Sequence, residues 1–171
     1  FFGAETARAL APAYSADLMA ANNVLAHVPD INDFVEGFRI LLQPEGVATF
    51  EFPHLLNLIQ HNEFDTIYHE HYSYLSLYTT QQIFAAHELT VFDVAELPSH
   101  GGSLRLFIRH TANNRLSLEP GVARILDREE QAGLTRLDGY LGFESKVRKV
   151  KRDLLKFLIA AKEAGQTVAG Y

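Results

Sequence analysis

The sequence predicts an α/β fold: a parallel sheet closed by an antiparallel hairpin and followed by two helices. Strand-like and helix-like segments alternate as far as His110, which is typical of strands joined by crossover helices. Two longer helical patterns occupy the rest of the chain. With 171 residues, 47% of them hydrophobic, the chain is long enough for one sizeable core or for a core with a helical extension.

The first elements are predicted from composition and periodicity. Residues 4–10 have helical composition, and residues 16–25 have the composition of a buried strand that ends in Asn22-Asn23. Asp30 is a suitable N-cap for a helix that continues to Leu42. The apolar residues of this helix recur with the 3, 4, 7 spacing of one buried face: Ile31, Phe34, Val35, Phe38, Leu41 and Leu42.

The middle of the chain supplies the remaining strands. In order, we expect a turn at Pro44-Glu45-Gly46, a strand at 47–52, a short helix at 54–61, a helix beginning at Thr79 and ending near His87, and strands at 90–97 and 104–110. The last two strands are separated by Pro98-Ser99-His100-Gly101-Gly102 and suit an antiparallel hairpin at a sheet edge.

Beyond Asn114 the pattern is helical, over 118–131 and 137–163. One apolar stripe is expected to be core or interface: Tyr140, Phe143, Val147, Val150, Leu154, Phe157 and Ala161. The basic residues between Lys146 and Arg152 invite a phosphate-binding interpretation, but a solvated outer face is favoured. We therefore divide the chain into a sheet domain (1–112), a helical appendage or bridge (113–165) and the start of a truncated α/β domain (166–171).

The bulk composition excludes several classes of protein. The net charge of −6 argues against a nucleic-acid partner, and no apolar run approaches the length of a membrane span. Cysteine is absent, so disulfides and thiolate metal sites are excluded. Without a signal peptide the expected location is the cytoplasm. The chain starts at Phe1 rather than methionine, and both ends suggest a fragment of a longer polypeptide.

The run from Tyr68 to Tyr74 is the strongest functional signal. It contains two imidazoles, one carboxylate and three phenols within seven residues. Groups of this kind donate, accept and transfer protons near neutral pH. The sequence therefore predicts that this segment lines an active site.

Three separated motifs together resemble the nucleotide-sugar C-methyltransferases of deoxysugar biosynthesis. They are Asn23-Val24-Leu25-Ala26-His27-Val28-Pro29, Tyr68-His69-Glu70-His71 and His100-Gly101-Gly102-Ser103-Leu104-Arg105. The order of strands and helices also matches the C-terminal half of a class I methyltransferase (Rossmann-like) sheet, including its final hairpin. The resemblance covers essentially the whole chain.

The resemblance implies an enzyme that uses S-adenosylmethionine to methylate a carbon beside the ketone of a nucleotide-linked sugar. Family members also have an N-terminal zinc domain rich in cysteine and a C-terminal nucleotide-binding domain. This chain has no glycine-rich first loop and no zinc cysteines, so it is expected to hold an incomplete cofactor site and no zinc. The sugar, the nucleotide and the oligomeric state stay open.

Methylation of carbon requires a base, donors that stabilise an enolate oxygen, and alignment with the methyl group. By resemblance, His71 is the base, while Tyr68 and Glu70 hold the sugar or adjust His71. His27 lies near the sugar and helps hold the enolate. On a regular strand, Glu70 and His71 would point to opposite faces, so either the segment is a loop or one of them lies outside the pocket.

By resemblance, further site residues lie at the ends of the strands, which is where ligands bind in open α/β sheets. Asn22 and Asn23 are assigned to the cofactor, with Asn23 also facing the substrate. His100 is assigned to the substrate, through a glycine turn whose backbone abuts the ligand. The alternative is that His100-Gly101-Gly102 is only a turn, and that Arg105 is an edge-strand charge that discourages sheet pairing.

Three other interpretations remain open. His71 and Glu70 could be a hydrogen-bonded structural pair. The chain could be a non-catalytic methyltransferase-like scaffold that binds a nucleotide sugar or mediates assembly. His69 and His71 could hold a metal in a hydrolase, although His69 is expected to be exposed and no metal ligand set is favoured.

Overall fold

The computed structural model describes residues 2–170. Phe1 and Tyr171, at the ends interpreted above as cut, lie outside the described residues. The helices and strands follow one another along the chain in this order: α1 (Ala4–Leu10), β1 (Ala16–Asn22), α2 (Ile31–Leu41), β2 (Leu42–Pro53), α3 (Leu55–His61), α4 (Leu77–Ala86), β3 (Leu89–Leu97), β4 (Ser103–His110), α5 (Pro120–Gln131) and α6 (Phe143–Glu163).

The four strands form one sheet in the order β1-β2-β4-β3. β1 and β2 are parallel, whereas β4 is antiparallel to both β2 and β3. This arrangement confirms the predicted fold class, an α/β sheet closed by an antiparallel hairpin. The hairpin inserts β4 beside β2, so β3 and not β4 forms the edge of the sheet.

The core lies on one face of this sheet. Alternate residues of β2 and β4 point into it, and Phe50 pairs across the strands with Leu106. Phe50 packs between Phe38 of α2 and Phe84 of α4, with ring centroids 4.6 and 4.8 Å apart. α5 contributes Val122 to the same core and packs against α4 and β3. Burial of these apolar side chains is the main stabilising term of the fold.

Helix α2 forms as its sequence predicts. Asp30 accepts a hydrogen bond from Asp33 N at 3.0 Å and so caps the first turn. Phe34, Val35 and Phe38 are buried on the predicted face. An N-cap of this kind stabilises a helix by about 1 kcal/mol.

The prediction for β1 is partly wrong. The strand ends at Asn22, at the predicted Asn22-Asn23 end, because Asn23 adopts a left-handed backbone with φ 54°; residues 25–27, the first of which belongs to the predicted strand pattern, form a 3-10 turn. The strand is also largely exposed, since it lies at the sheet edge and α1 packs on α2 instead of covering it. Leu18, for example, is 68% exposed.

Two other boundaries also differ from prediction. The expected turn at Pro44-Glu45-Gly46 lies inside β2, as an irregularity in its pairing with β1. Gly46 is needed there because a Cβ would lie 2.9 Å from the carbonyl oxygen of Ala16. Helix α4 begins at Leu77, since Ser76 and not Thr79 is its N-cap.

The helical region after α5 is broken, and its apolar stripe is mostly exposed, so the core interpretation is wrong and the interface interpretation stays a prediction. Residues 137–140 form a 3-10 turn, and Gly142, with φ 119°, separates this turn from α6. Leu154 is 55% exposed and Phe157 is 63% exposed, whereas Ala161 is buried. Helical periodicity predicts one apolar face, but the tertiary structure leaves most of that face open. The division at residue 112 stays a prediction.

Candidate active site

The segment from Tyr68 to Tyr74 is a loop of turns rather than a strand. His71 N donates to Tyr68 O at 3.1 Å, and Tyr72 N and Ser73 N both donate to Ala26 O, at 2.8 and 3.2 Å. The loop is therefore fixed to the turn that follows β1. Because it is not a strand, the alternation that would separate Glu70 from His71 does not apply.

His71 is held in one orientation. Its Nδ1 lies 2.8 Å from the carbonyl oxygen of Thr66. A carbonyl oxygen only accepts, so Nδ1 carries the hydrogen and Nε2 of the neutral ring keeps its lone pair. The ring centroid is 4.4 Å from that of Tyr68 and 4.6 Å from that of His27. The half-buried ring thus presents a nitrogen base between two other aromatic rings.

His27 is fixed in the same way. It closes the 3-10 turn after β1, and its Nδ1 lies 3.0 Å from the carbonyl oxygen of Glu70. Nε2 of the neutral ring is again an acceptor. His27 would therefore donate to an enolate oxygen through Nε2 only in its protonated form.

Tyr68 and Glu70, the other members of the Tyr-x-Glu-His motif, are more exposed to solvent than His71. Tyr68 is 44% exposed while its ring stacks on His71. Glu70 contributes its main-chain carbonyl to His27, and its side chain is exposed. His69 is exposed as predicted. The loop thus brings His27, Tyr68 and His71 together, and it leaves Glu70 at the solvent boundary.

The two asparagines lie at the carboxyl end of β1. Asn22 is exposed, and Asn23 N donates to Glu51 O at 2.8 Å. Asn23 Oδ1 is buried and has no hydrogen-bond donor among residues 2–170. An unpaired buried acceptor is uncommon in folded proteins, and this one lies at the edge of the sheet where open α/β folds bind ligands.

The glycine turn is packed by the chain's own side chains. His100 is exposed and left-handed, with φ 53°. A Cβ on Gly101 would collide with the carboxylate of Glu63, and one on Gly102 with the amide of Asn57. Close packing inside the protein thus explains the two glycines, and a role of His100 towards substrate stays a prediction.

The interpretation of Arg105 as an edge-strand charge is wrong, because β4 lies inside the sheet. Arg105 Nη2 is 2.6 Å from Glu51 Oε2 on the face opposite the core. Ser99 Oγ donates to the other carboxylate oxygen at 3.2 Å. This buried carboxylate therefore joins β2, β4 and the hairpin turn.

Sequence reasoning missed a buried pair beneath the loop. His54 Nε2 lies 2.7 Å from Glu129 Oε1, and both side chains have no exposed area. A signal for Glu129 was present: it follows Val122 and Ile125 at helical spacing and so falls on the buried face of α5. Its partner depends on long-range packing, which no local pattern predicts.

Two cavities adjoin the loop. A small one of about 20 Å³ lies beside the His71 ring and is lined also by Ala26, Pro53 and Thr66. A larger cleft of about 420 Å³ is mainly apolar and is lined by Ile67 and Phe143, among others. Leu55, Leu58 and Tyr74 line both cavities. The loop thus has open space beside it as well as polar groups on it.

Two other features are absent from the described part of the chain. Residues 2–170 hold no group of three or more histidine, cysteine, aspartate or glutamate side chains placed to bind a metal ion. No helix among the same residues has both the length and the apolar character needed to cross a membrane.

The chain is similar in sequence to C-methyltransferases. Residues 98–171 match the sequence model described as "C-methyltransferase C-terminal domain". The chain is also 34% identical over 171 residues to the C-methyltransferase NovU of Streptomyces niveus, covering 99% of this chain and 40% of NovU. The chain thus spans about 40% of the length of the curated relative it matches.

Structural similarity to solved proteins is partial. The magnesium protoporphyrin IX methyltransferase of Synechocystis PCC 6803 aligns over 58% of this chain and 48% of its own, with 14% identity and a TM-score of 0.45. The N-methyltransferase NodS of Bradyrhizobium japonicum WM9 aligns over 57% and 47%, with 16% identity and a TM-score of 0.42.

Proposed function

We propose that this chain, of which residues 98–171 match the C-methyltransferase C-terminal domain, serves S-adenosylmethionine-dependent methylation of a carbon beside the ketone of a nucleotide-linked sugar. The family match and the relation to NovU support transfer to carbon. The three motifs that resemble nucleotide-sugar enzymes support the choice of substrate. A complete enzyme would need parts that the curated relative has beyond the aligned 40% of its length.

The single observation that carries the proposal is the hydrogen bond from His71 Nδ1 to Thr66 O, 2.8 Å long. It leaves Nε2 as a lone-pair base beside the rings of Tyr68 and His27. In the proposed step, Nε2 takes a proton from the carbon beside the ketone, and the C–H electron pair forms the enolate. Positioned bases of this kind typically accelerate proton transfer by about 10²–10⁴-fold.

Protonation strengthens the contacts that already hold the ring. The imidazolium of His71 keeps its Nδ1–H donated to Thr66 O, so the ring does not need to turn when it gains a proton. A hydroxyl or ketone oxygen of the sugar has the phenol of Tyr68 as a neighbouring donor. His27, if protonated, would add a second donor towards the enolate oxygen.

The carboxyl end of β1 is the proposed cofactor side. S-adenosylmethionine, when bound, supplies a methyl group activated on a sulfonium. Asn23 Oδ1, buried and without a donor among residues 2–170, suits a hydroxyl of such a molecule, and the exposed Asn22 stands beside it. These two residues are the ones proposed to orient the cofactor in this chain.

The test is His71→Asn in the full-length protein. The asparagine amide can still donate towards Thr66 O but has no basic nitrogen, so methyl incorporation into a nucleotide-linked keto sugar should fall by about 10²–10⁴-fold. Binding of S-adenosylmethionine, measured by calorimetry, should change little. His69→Asn is the matched control, because His69 is an exposed histidine of the same loop and its loss should leave turnover intact.

Unchanged turnover in His71→Asn would remove His71 as the base. A wild-type protein that binds the nucleotide sugar and the cofactor but transfers no methyl group would instead support the scaffold interpretation.

A further inference from the structure

Glu129 is a buried carboxylate that the proposed reaction does not use. It lies in α5 with no exposed area. Oε1 accepts hydrogen bonds from His54 Nε2 and from Leu77 N, each at 2.7 Å, and Oε2 accepts one from Tyr78 N at 2.8 Å. Three donors satisfy a buried carboxylate whose burial would otherwise be costly.

These donors lie at the two ends of one segment. His54 follows β2, and Leu77 and Tyr78 begin α4. The chain between them contains α3 and the loop that carries His71. Glu129 therefore connects the start of this segment to its end, as a clamp across the base of the active-site loop.

Main-chain hydrogen bonds reinforce the same junction. His54 and Leu75 form an isolated parallel bridge, and Leu55 N donates to Leu75 O at 3.0 Å. His54 N donates to Gly102 O at 2.9 Å. Leu75 directly follows Tyr74, the last residue of the loop, so the junction fixes the loop where it returns to the core.

Close packing around His54 does not by itself require a polar side chain at this position. Its Nε2 donates to Glu129, whereas Nδ1 is buried without a partner among residues 2–170. An apolar side chain would fill this place without leaving a polar atom unpaired. The imidazole at this position is therefore explained by the hydrogen bond that it donates to Glu129.

We propose that Glu129 and His54 are positioning residues that hold the His71 loop in its productive geometry, an inference that rests on the proposed function. The hydrogen bonds that Glu129 accepts join the two ends of the segment. The loop is thereby held in one position relative to its hydrogen-bond acceptors, Thr66 O and Ala26 O. Misplacement of a reacting group by about 1 Å can cost on the order of 100-fold in rate. Loss of the clamp should therefore lower kcat and leave the substrate KM nearly unchanged.

The main test uses Glu129→Gln and Glu129→Ala in the full chain, with Glu130→Gln as the control because Glu130 is the exposed neighbour. Side-chain ¹⁵N NMR of His71 reports its tautomer, and amide exchange reports Leu55 and Tyr72. In the alanine variant, the His71 signal should lose its Nδ1–H character, and both amides should exchange at least tenfold faster than in the control. The glutamine variant, which keeps one acceptor oxygen, should show smaller changes.

A wild-type measurement guards against variants that do not fold. In native-state exchange under mild denaturant, the amides of Leu55, Leu77 and Tyr78 should open together, as one unit distinct from the amides of β2 and β4. Separate opening would overturn the proposal. So would an unchanged His71 signal in a folded variant, or faster exchange spread evenly over the sheet. None of these measurements requires turnover, so they test the proposed clamp separately from the proposed reaction.

Discussion

The best-defined electrostatic prediction concerns Glu36 on α2. Arg39 donates two hydrogen bonds to its carboxylate, at 2.7 and 2.9 Å, and His87 Nδ1 lies 3.1 Å from Oε2. The hydrogen bond from Arg39 lowers the pKa of Glu36 from 4.5 to about 2, with a further contribution from His87. The carboxylate is therefore more stable in the folded protein than in the unfolded chain.

The magnitude follows from the size of this pKa shift. At 1.36 kcal/mol per pKa unit, the full shift would stabilise the protein by about 3.4 kcal/mol at neutral pH. The Glu36 side chain is 20% exposed and its partner Arg39 is 33% exposed, so solvent screens the pair. We therefore expect Glu36→Gln to lower the free energy of unfolding by about 1 kcal/mol at pH 7.

The sign of the pH dependence is fixed because the folded pKa is lowered. The stabilisation is complete above the unfolded value of 4.5 and disappears as the pH falls towards 2. Urea unfolding of wild type and Glu36→Gln between pH 7 and pH 2 should show two curves that converge on acidification. The control is Glu144→Gln, because Glu144 is 77% exposed in its pair with Arg148 and should contribute little at any pH. A difference that is constant with pH, or that grows in acid, would refute this reasoning.

The remaining predictions concern stability and use urea unfolding. Asp30→Ala should lower the free energy of unfolding by about 1 kcal/mol, because Asp33 N loses its hydrogen-bond acceptor. Asp30→Ser should recover most of this loss. Equal losses in both variants would contradict a capping role. Leu106→Ala should lower the free energy of unfolding by about 2–5 kcal/mol, because Leu106 has no exposed area. Leu154→Ala should change the free energy of unfolding by less than about 0.5 kcal/mol, because Leu154 is 55% exposed. A loss at Leu154 as large as at Leu106 would show that α6 packs more tightly than the structure indicates.

Local patterns predicted most of the fold, because the interactions that decide these elements are local. The spacing of Phe34, Val35 and Phe38 and the cap at Asp30 are properties of one helix and its neighbouring residues. The β-branched and aromatic runs around Phe50 and Ile108 likewise specify strands. The closing hairpin at the sheet edge was predicted correctly for the same reason, whereas the insertion of β4 between β2 and β3 was not evident from the hairpin's own sequence.

Local patterns failed where burial depends on what lies opposite. β1 has the composition of a buried strand, yet Leu18 is exposed because the described chain places no layer beside it. The stripe on α6 was predicted to be core or interface; Phe157 is exposed, which contradicts the core alternative and leaves the interface alternative a prediction. Periodicity determines which residues share a face, but it contains no information on whether another element covers that face.

In the candidate site, too, the sequence identified the side chains, and the tertiary structure determined their contacts. The sequence by itself placed His71, Tyr68 and His27 among the functional candidates, because the chemistry of these side chains and their motifs are visible in the residue order. Only the tertiary structure decided that Thr66 O orients His71, that the His27 ring stands 4.6 Å from it, and that Glu129 closes the base of the loop. These contacts join residues that are distant along the chain or lie across a turn, so they exist only after the core has formed and brought the elements into contact.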